Sequence, residues 1–347
     1  MELFPLWNVS NIARSQIINH FSLSSIELTI RYKPFRDFLY VYKLPAVNLE
    51  WDFNKNQKVV LRFPSLNNPV QFDVQKTKKE NPIETDIEAF QNVARLHKRF
   101  VIGNCKNVQK GVEALEEVIK LIARIAHVKN YKLEYYHDPK IDILNSCMFQ
   151  LTNTFSQLTL VSLKTTERIK LTEQKIRYLL EEVRCDQLHL DCDLEGGPRI
   201  LENIKFNQRS LSLGYCDWLH PRDSFNKSKL QSICGQFTQP YSLEEFMKIV
   251  DGWQRGEILQ NMHYIGLNSE MSWPANQGLK IQEDHTVAIV PAYGEIFEGF
   301  RGKIKRLTDG KVAHLHVWNG RSFADRLTKN RTTRHSEEYL MGRRATL

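Results

Sequence analysis

The stretch QLHLDCDLEGGPRILENIKFNQRSLSLGYC, residues 187–216, decides the fold. Its two ends, QLHLDCDL (187–194) and RSLSLGYC (209–216), alternate leucine with polar residues, the period of two that marks a strand. EGGPR between them reads as a turn. Similar runs lie on either side: YKLEYY (131–136), QLTLVSL (157–163), a short run around Ile233, and MHYIGL (262–267). Helical patterns fill several gaps. The spacing predicts a helix over 108–129, with Val112, Leu115, Val118, Ile119 and Ile122 in one stripe. It predicts others over TERIKLTEQKIRYLLEEV (166–183), capped by its threonine, and SLEEFMKIVDGW (242–253). A strand and a helix per unit, irregularly repeated, is the pattern of a leucine-rich-repeat-like solenoid. An open α/β sheet of the same units is the alternative.

Upstream, residues 45–75 hold three short alternating runs around Val47-Leu49-Trp51, Val59–Phe63 and Val70-Phe72-Val74, which predict a small antiparallel sheet. KTKKENP (76–82) reads as an exposed loop. Downstream, Asp309-Gly310 and Asn319-Gly320 sit between strand-like runs and predict hairpins with type I′ turns. The fold class expected is therefore α/β, with a helical N-terminus over 1–44, a repeat-like region over 86–270 and an antiparallel hairpin region over 286–327. Residues 329–347 read as a flexible basic tail.

The chain has 347 residues and 41% hydrophobic residues, enough for a sizeable core. No run reaches the roughly 18 apolar residues of a membrane-crossing helix, and MELFPLWN lacks a basic leader, so neither anchor nor signal peptide is expected. Six cysteines without a metal-ligand spacing read as reduced core thiols, which points to the cytoplasm, with the nucleus open as a second compartment. The net charge of +8 is spread along the chain rather than gathered into a patch, so nucleic acid is not the expected partner.

Catalytic signatures are missing: there is no Walker loop, GxGxxG, HExxH or GxSxG. His189, Asp191 and Asp193 share one strand face and offer metal or acid–base chemistry. Their alternation with Leu188, Leu190, Cys192 and Leu194 reads instead as the polar outer face of a strand. His314 and His316 are read in the same way. No cofactor and no enzymatic activity are expected. The apolar N-terminus, by contrast, needs a surface to cover it.

Those N-terminal residues carry a resemblance. FPLWNVSNIARSQIINHFSLSSIELTIRYKPFRDFL (4–39) resembles the divergent F-box of the nematode F-box families, with Val9-Ser10 in place of the usual Leu-Pro pair. Leu211, Leu213 and Trp218, the run Leu243-Glu244-Glu245-Phe246 to Trp253, and RLTDGKVA (306–313) ending in Val317-Trp318 resemble the associated domain of the same families. The resemblance implies the non-catalytic substrate receptor of an SCF-type cullin-RING ubiquitin ligase. Pro5, Leu6, Ile12, Ile17, Ile18, Phe21, Leu23, Ile26 and Leu28 would bind a Skp-family adaptor that leads to the cullin. The domain over 45–328 would hold a target protein for ubiquitination and degradation. Its outward strand positions, Lys132, Glu134, Tyr136, Thr159, His189, Asp191, Asp193 and Ser212, are the expected target-binding residues. A repeat-type interaction scaffold whose N-terminal helices pack in cis is the alternative.

Overall fold

The computed structural model describes residues 32–53, 57–63, 69–75, 94–96, 99–104, 108–136, 141–162, 168–197, 199–214, 216–219, 229–235, 243–269, 282–284, 288–290, 295–297 and 299–319, with Ser10, Ala13, Gln16 and Thr29. The chain divides into two compact units, Met1–Thr159 and Leu160–Leu347. The nine expected adaptor-binding residues, the loop 76–82, the second hairpin beyond Asn319 and the tail 329–347 lie outside the described residues. Near the start, Ala13 N–H donates to Ser10 Oγ at 3.3 Å, the bond of a helix cap.

The first unit begins its described structure with helix α1 (Lys33–Val41), where Pro34 occupies the first turn, the place a missing N–H costs nothing. Strands β1 (Leu44–Phe53), β2 (Gln57–Arg62) and β3 (Val70–Gln75) form the expected antiparallel sheet. Strands β4 (Ala94–Leu96) and β5 (Arg99–Asn104), helix α2 (Val108–Ile125) and strand β6 (Ala126–Tyr136) follow. After a short 3₁₀ turn come helix α3 (Cys147–Leu151) and strand β7 (Thr154–Val161). The sheet runs β7-β6-β1-β2-β3-β5-β4, with β6 parallel to β1. Leu49, Trp51, Val59 and Leu61 are completely buried, and α2 packs against β2, β3 and β6.

Helix α2 stops at Ile125, four residues short of the expected end. The next residues pair with β1, Val128 beside Val47 and Asn130 beside Asn48. Valine and asparagine are modest helix formers, and a completed row of sheet hydrogen bonds outweighs that preference.

In the second unit, the expected helix 166–183 is replaced by three pieces: strand β8 (Ile169–Leu171), helix α4 (Glu173–Arg177) and a π turn (Tyr178–Glu182). Ile169 and Leu171 lie beside Cys192 and Leu194 of strand β9 (Arg184–Leu194), so they bury as a strand pair. The cap is therefore Thr172, whose Oγ1 accepts from Lys175 N–H at 3.3 Å. Gln208, completely buried, closes the π turn: its Nε2 donates to the carbonyls of Leu179 and Val183, each at 2.9 Å.

Strands β10 (Gln208–Gly214), β11 (Ser232–Gly235) and β12 (Tyr264–Ser269) extend from β9 in chain order, each parallel to the last. Helix α5 (Leu243–Gln254) links β11 to β12. The β9–β10 link instead uses the Gly196-Gly197 turn and a bridge between Leu201 and Leu219, with no helix among its described residues. Strands β13 (Gln282–Asp284), β14 (Ala288–Val290), β15 (Glu295–Phe297), β16 (Gly299–Lys305) and β17 (Val312–Asn319) complete the unit. The sheet order is β9-β10-β11-β12-β17-β16-β13, while β14 and β15 pair separately. The chain is thus mixed α/β, and among the described residues no helix is long and apolar enough to cross a membrane.

The β16–β17 hairpin forms at Asp309-Gly310, but not through a type I′ turn. Gly310 alone in that pair has positive φ, +73°. The loop is longer: Arg306 N–H bonds to Lys311 O at 2.8 Å and Gly310 N–H to Arg306 O at 3.0 Å. A four-residue loop needs only one left-handed position at its end, which glycine fills at little cost.

Candidate functional site

The eight expected target-binding positions fall into both units. In the first, Lys132, Glu134 and Tyr136 alternate with buried Leu133 and Tyr135 on β6. Their charges are not presented free. Lys132 Nζ lies 2.6 Å from Glu134 and 3.4 Å from Glu50 of β1. Asp52, next along that face, pairs with Lys58 at 3.2 Å. Burial pushes the Asp52 carboxyl up, and the Lys58 ammonium draws it part of the way back. Burial also raises the Tyr136 hydroxyl, with Glu134 and Asp52 adding to the shift. The face is a lateral ladder of ion pairs across β2, β1 and β6.

Three expected outward residues are buried: Thr159 is 7% exposed, Asp191 9% and Ser212 7%. Outward direction from a strand does not guarantee access. A short side chain between two neighbouring strands, about 4.8 Å away on each side, is screened by theirs. His189 and Asp193 are half-buried. The register puts His189 beside Ser212 and Asp191 beside Gly214. Across β10 to β12 the same face carries Ser210, Ser232 and Tyr264 in one row and Ser212, Cys234 and Gly266 in the next. Among the described residues, no three histidine, cysteine or acidic side chains are grouped to hold a metal ion.

The carboxyl end of β9 opens into a crevice of about 350 Å³, lined by Lys170, Asp193, Leu194, Gly196, Gly197, Asp217 and Trp218. Its position follows from the chain path. Parallel strands end on one side, and the loops leaving them must diverge there. Gly196 and Gly197 turn the chain with φ of +89° and +102°, and a Cβ on either would meet nothing within 4 Å. Trp218 is fixed by its indole N–H, which donates to Cys192 O at 3.0 Å. Leu201 N–H closes the loop onto Trp218 O at 2.7 Å.

Asp193 lines the crevice, while Asp191 is buried beside it and is not part of its lining. Arg168 Nη1 pairs with Asp193 Oδ1 at 2.9 Å. Asp191, two residues back on the same strand face, has no hydrogen-bond partner for Oδ1. Burial pushes its carboxyl up to about 6, against the pull of Arg168 and with the push of Asp193. A carboxyl without a compensating donor is costly to bury and commonly marks a functional position.

Of the residues of this end, Asp191 and Asp193 stood out as sequence, and Trp218 entered only as a trailing aromatic. Arg168, Lys170 and Asp217 were missed. A signal existed: Gly196-Gly197 and Asp217-Trp218 each follow directly on a leucine-alternating strand, where parallel strands place their ligands.

The described cysteines Cys147, Cys185, Cys192, Cys216 and Cys234 are buried and form no disulfide. Burial pushes the thiols of Cys147 and Cys234 up to about 12 and raises those of Cys192 and Cys216 as well, so at neutral pH these four remain protonated core residues rather than nucleophiles.

No protein-family model matches the chain, and neither a curated protein nor a solved structure matches it.

Proposed function

We propose that this chain is a non-catalytic target receptor of an SCF-type ubiquitin ligase, acting in the cytoplasm. The structural observation that supports a receptor is the run of parallel strands β9 to β12 in chain order, whose polar face leads to the crevice. Such stacked strands offer an extended surface for a protein partner, in the manner of a leucine-rich-repeat-like domain. The ligase assignment rests on the F-box-like residues 4–39 and their apolar positions. A Skp-family adaptor bound there would bring the cullin-RING assembly to a target held by the rest of the chain. The receptor's contribution is positional: it raises the effective concentration of the target near the ubiquitin-charged enzyme.

Co-expression with a Skp-family adaptor, followed by size-exclusion chromatography, tests this reading. A stable complex is expected, lost on Ile17→Asp or Ile18→Asp, because an unpaired charge in an apolar groove costs about 3–5 kcal/mol. Separate peaks for adaptor and a soluble monodisperse chain would overturn it.

One observation favours a second reading, an interaction scaffold whose N-terminal helices pack in cis. Thr29 is only 1% exposed, so this point of the segment is covered by the chain itself. Deleting residues 1–31, which spares buried Phe38 and Leu39 of α1 and Leu44 of β1, separates the two. A receptor keeps a folded remainder and loses adaptor binding, whereas a cis-packed scaffold loses stability.

A further inference from the structure

We propose that the solvent face of the β16–β17 ribbon docks an extended acidic segment of a protein partner, with carboxylates along the row Arg301, Lys303 and Lys305 and an apolar side chain at the turn. The inference deepens the receptor reading and rests on it for the partner being a target.

The pleat sorts the ribbon into two faces. Ile304 and Ala313, opposite each other in register, are 1% and 0% exposed. Lys303, Lys305 and Val312, one residue away along each strand, are exposed. Arg301 belongs to the face of Lys303 and Lys305 by the period of two. Three cationic residues therefore stand in one row, about 6.8 Å apart. The register sets His316 beside Arg301, His314 beside Lys303 and Val312 beside Lys305. On the other side of β16, Gln282 is beside Lys303 and Asp284 beside Arg301.

Charge decides what the row attracts. At these register positions one acid, Asp284, stands against three cations, an excess of two. Lys303 and Lys305 form no ion pair among the described residues. Asp309 of the adjoining turn is taken up by Arg306, and exposed Lys311 adds a further ammonium 3.9 Å from the same carboxylate. The ladder of the first unit differs, since there Lys132 lies between Glu50 and Glu134 and the charges cancel sideways. On β16 the counter-charge has to arrive from outside.

Spacing and apolar surface define the partner. An extended peptide repeats its side chains at the same interval of about 6.8 Å, so carboxylates at alternate positions meet the row in step. Leu307, 79% exposed, and Val312, 46% exposed, close the row at the turn. These aliphatic side chains favour a peptide over a nucleic acid, whose phosphate backbone brings no apolar group to meet them. The turn is already fixed by the bonds between Arg306 and Lys311 and between Gly310 and Arg306, so presenting Leu307 adds little ordering cost on binding.

The test uses the full chain and short fluorescein-labelled peptides, read by fluorescence anisotropy at low and high salt. The first peptide alternates glutamate with threonine and ends in leucine-phenylalanine. The second carries glutamine for each glutamate. The third keeps the glutamates and ends in serine-serine. A labelled oligothymidine represents nucleic acid. The first peptide is expected to bind about tenfold or more tightly than the second, with the advantage shrinking as salt rises. Lys303→Gln combined with Lys305→Gln should erase the advantage, and Lys129→Gln, exposed on β6 of the first unit, should leave it intact. Leu307→Ser should weaken the first peptide toward the third and leave the third unchanged. All these side chains are exposed, and circular dichroism checks that each variant is folded. The proposal is overturned by equal binding of the first two peptides, by no binding at millimolar concentrations, or by an advantage that survives the double variant. It is equally overturned if Leu307→Ser holds the first peptide as tightly as the parent, or if oligothymidine binds more tightly than the acidic peptide. No adaptor enters these measurements, so their failure beside intact adaptor co-purification removes this proposal and leaves the receptor reading standing.

Discussion

Arg306 lies over the ring of Trp253, its guanidinium carbon 5.5 Å from the ring centroid. The same side chain grips the turn that follows it. Nε donates to Asp309 Oδ1 at 2.8 Å, Nη2 donates to Asp309 Oδ2, and Nη1 donates to Gln260 O at 2.7 Å. Leu307 N–H adds a bond to Gln254 O at 2.8 Å. One arginine thereby fastens the β16–β17 turn to the end of α5 and the loop after it.

This fastening depends on the planar fork, not on charge alone. Arg306→Lys keeps the charge but loses the two-pronged bond and the flat stacking surface. It should lower the thermal midpoint measurably, and Arg306→Met should lower it further. In a double-mutant cycle with Asp309→Asn, additive losses would refute the coupling. The Arg306 guanidinium holds the Asp309 carboxyl below the usual carboxylate range. The stability it contributes is therefore present above the ordinary aspartate pKa and is lost as pH falls toward the depressed value.

Asp191 behaves in the opposite sense. Its folded value of about 6 lies above the ordinary 3.8, so the native state binds the proton more tightly than the unfolded chain does. Stability falls as pH rises from 3.8 toward 6 and stays reduced above that, by about 3 kcal/mol at most for a shift of this size. Asp191→Asn should remove this dependence. Relative to the parent chain, the variant should gain stability at pH 8 and show no such gain at pH 4. Chemical denaturation at the two pH values measures the difference, and an unchanged gap would count against the buried carboxyl.

Gln208→Leu tests the π turn. The substitution keeps much of the volume and leaves the carbonyls of Leu179 and Val183 without their shared donor. A net loss of about 1–3 kcal/mol is expected: each buried carbonyl left bare costs about 1–3 kcal/mol, and removing Gln208 Oε1, itself buried without a partner, offsets part of that. Urea unfolding is sufficient to measure it.

Gly256→Ala tests the other side of the Arg306 turn. Gly256 has φ of +75°, and a Cβ there would meet Thr308 Oγ1 at 2.9 Å. The left-handed conformation alone costs an L-residue about 1–2 kcal/mol. The double change with Thr308→Ser keeps that hydroxyl, so it should restore little of the loss in a thermal melt.

The strands were the legible part of the fold. In β1, Leu49 and Trp51 alternate with Glu50 and Asp52, and in β9 the leucines alternate with His189 and Asp191, so over these longer runs the period of two is unambiguous. The segment 166–183 misled because Ile169 and Leu171 fit both periods. Their choice is made by Cys192 and Leu194, more than twenty residues on. The crevice was hidden for the same reason. Its groups come from three separate stretches, around Lys170, Asp193 and Asp217, and only the strand order brings them together.

The parallel pairing of β12 with β17 also orders events in time. β9 to β12 pair each with the next strand along the chain, so they can assemble as they leave the ribosome. The far side of β12 must wait until the segment from His314 to Asn319 has been synthesised. During that interval its N–H and C=O groups are an open edge, the kind that recruits other nascent chains. A premature stop ahead of Val312 would make the interval permanent, and the truncated product is expected to sediment as aggregate rather than persist as a shortened soluble chain.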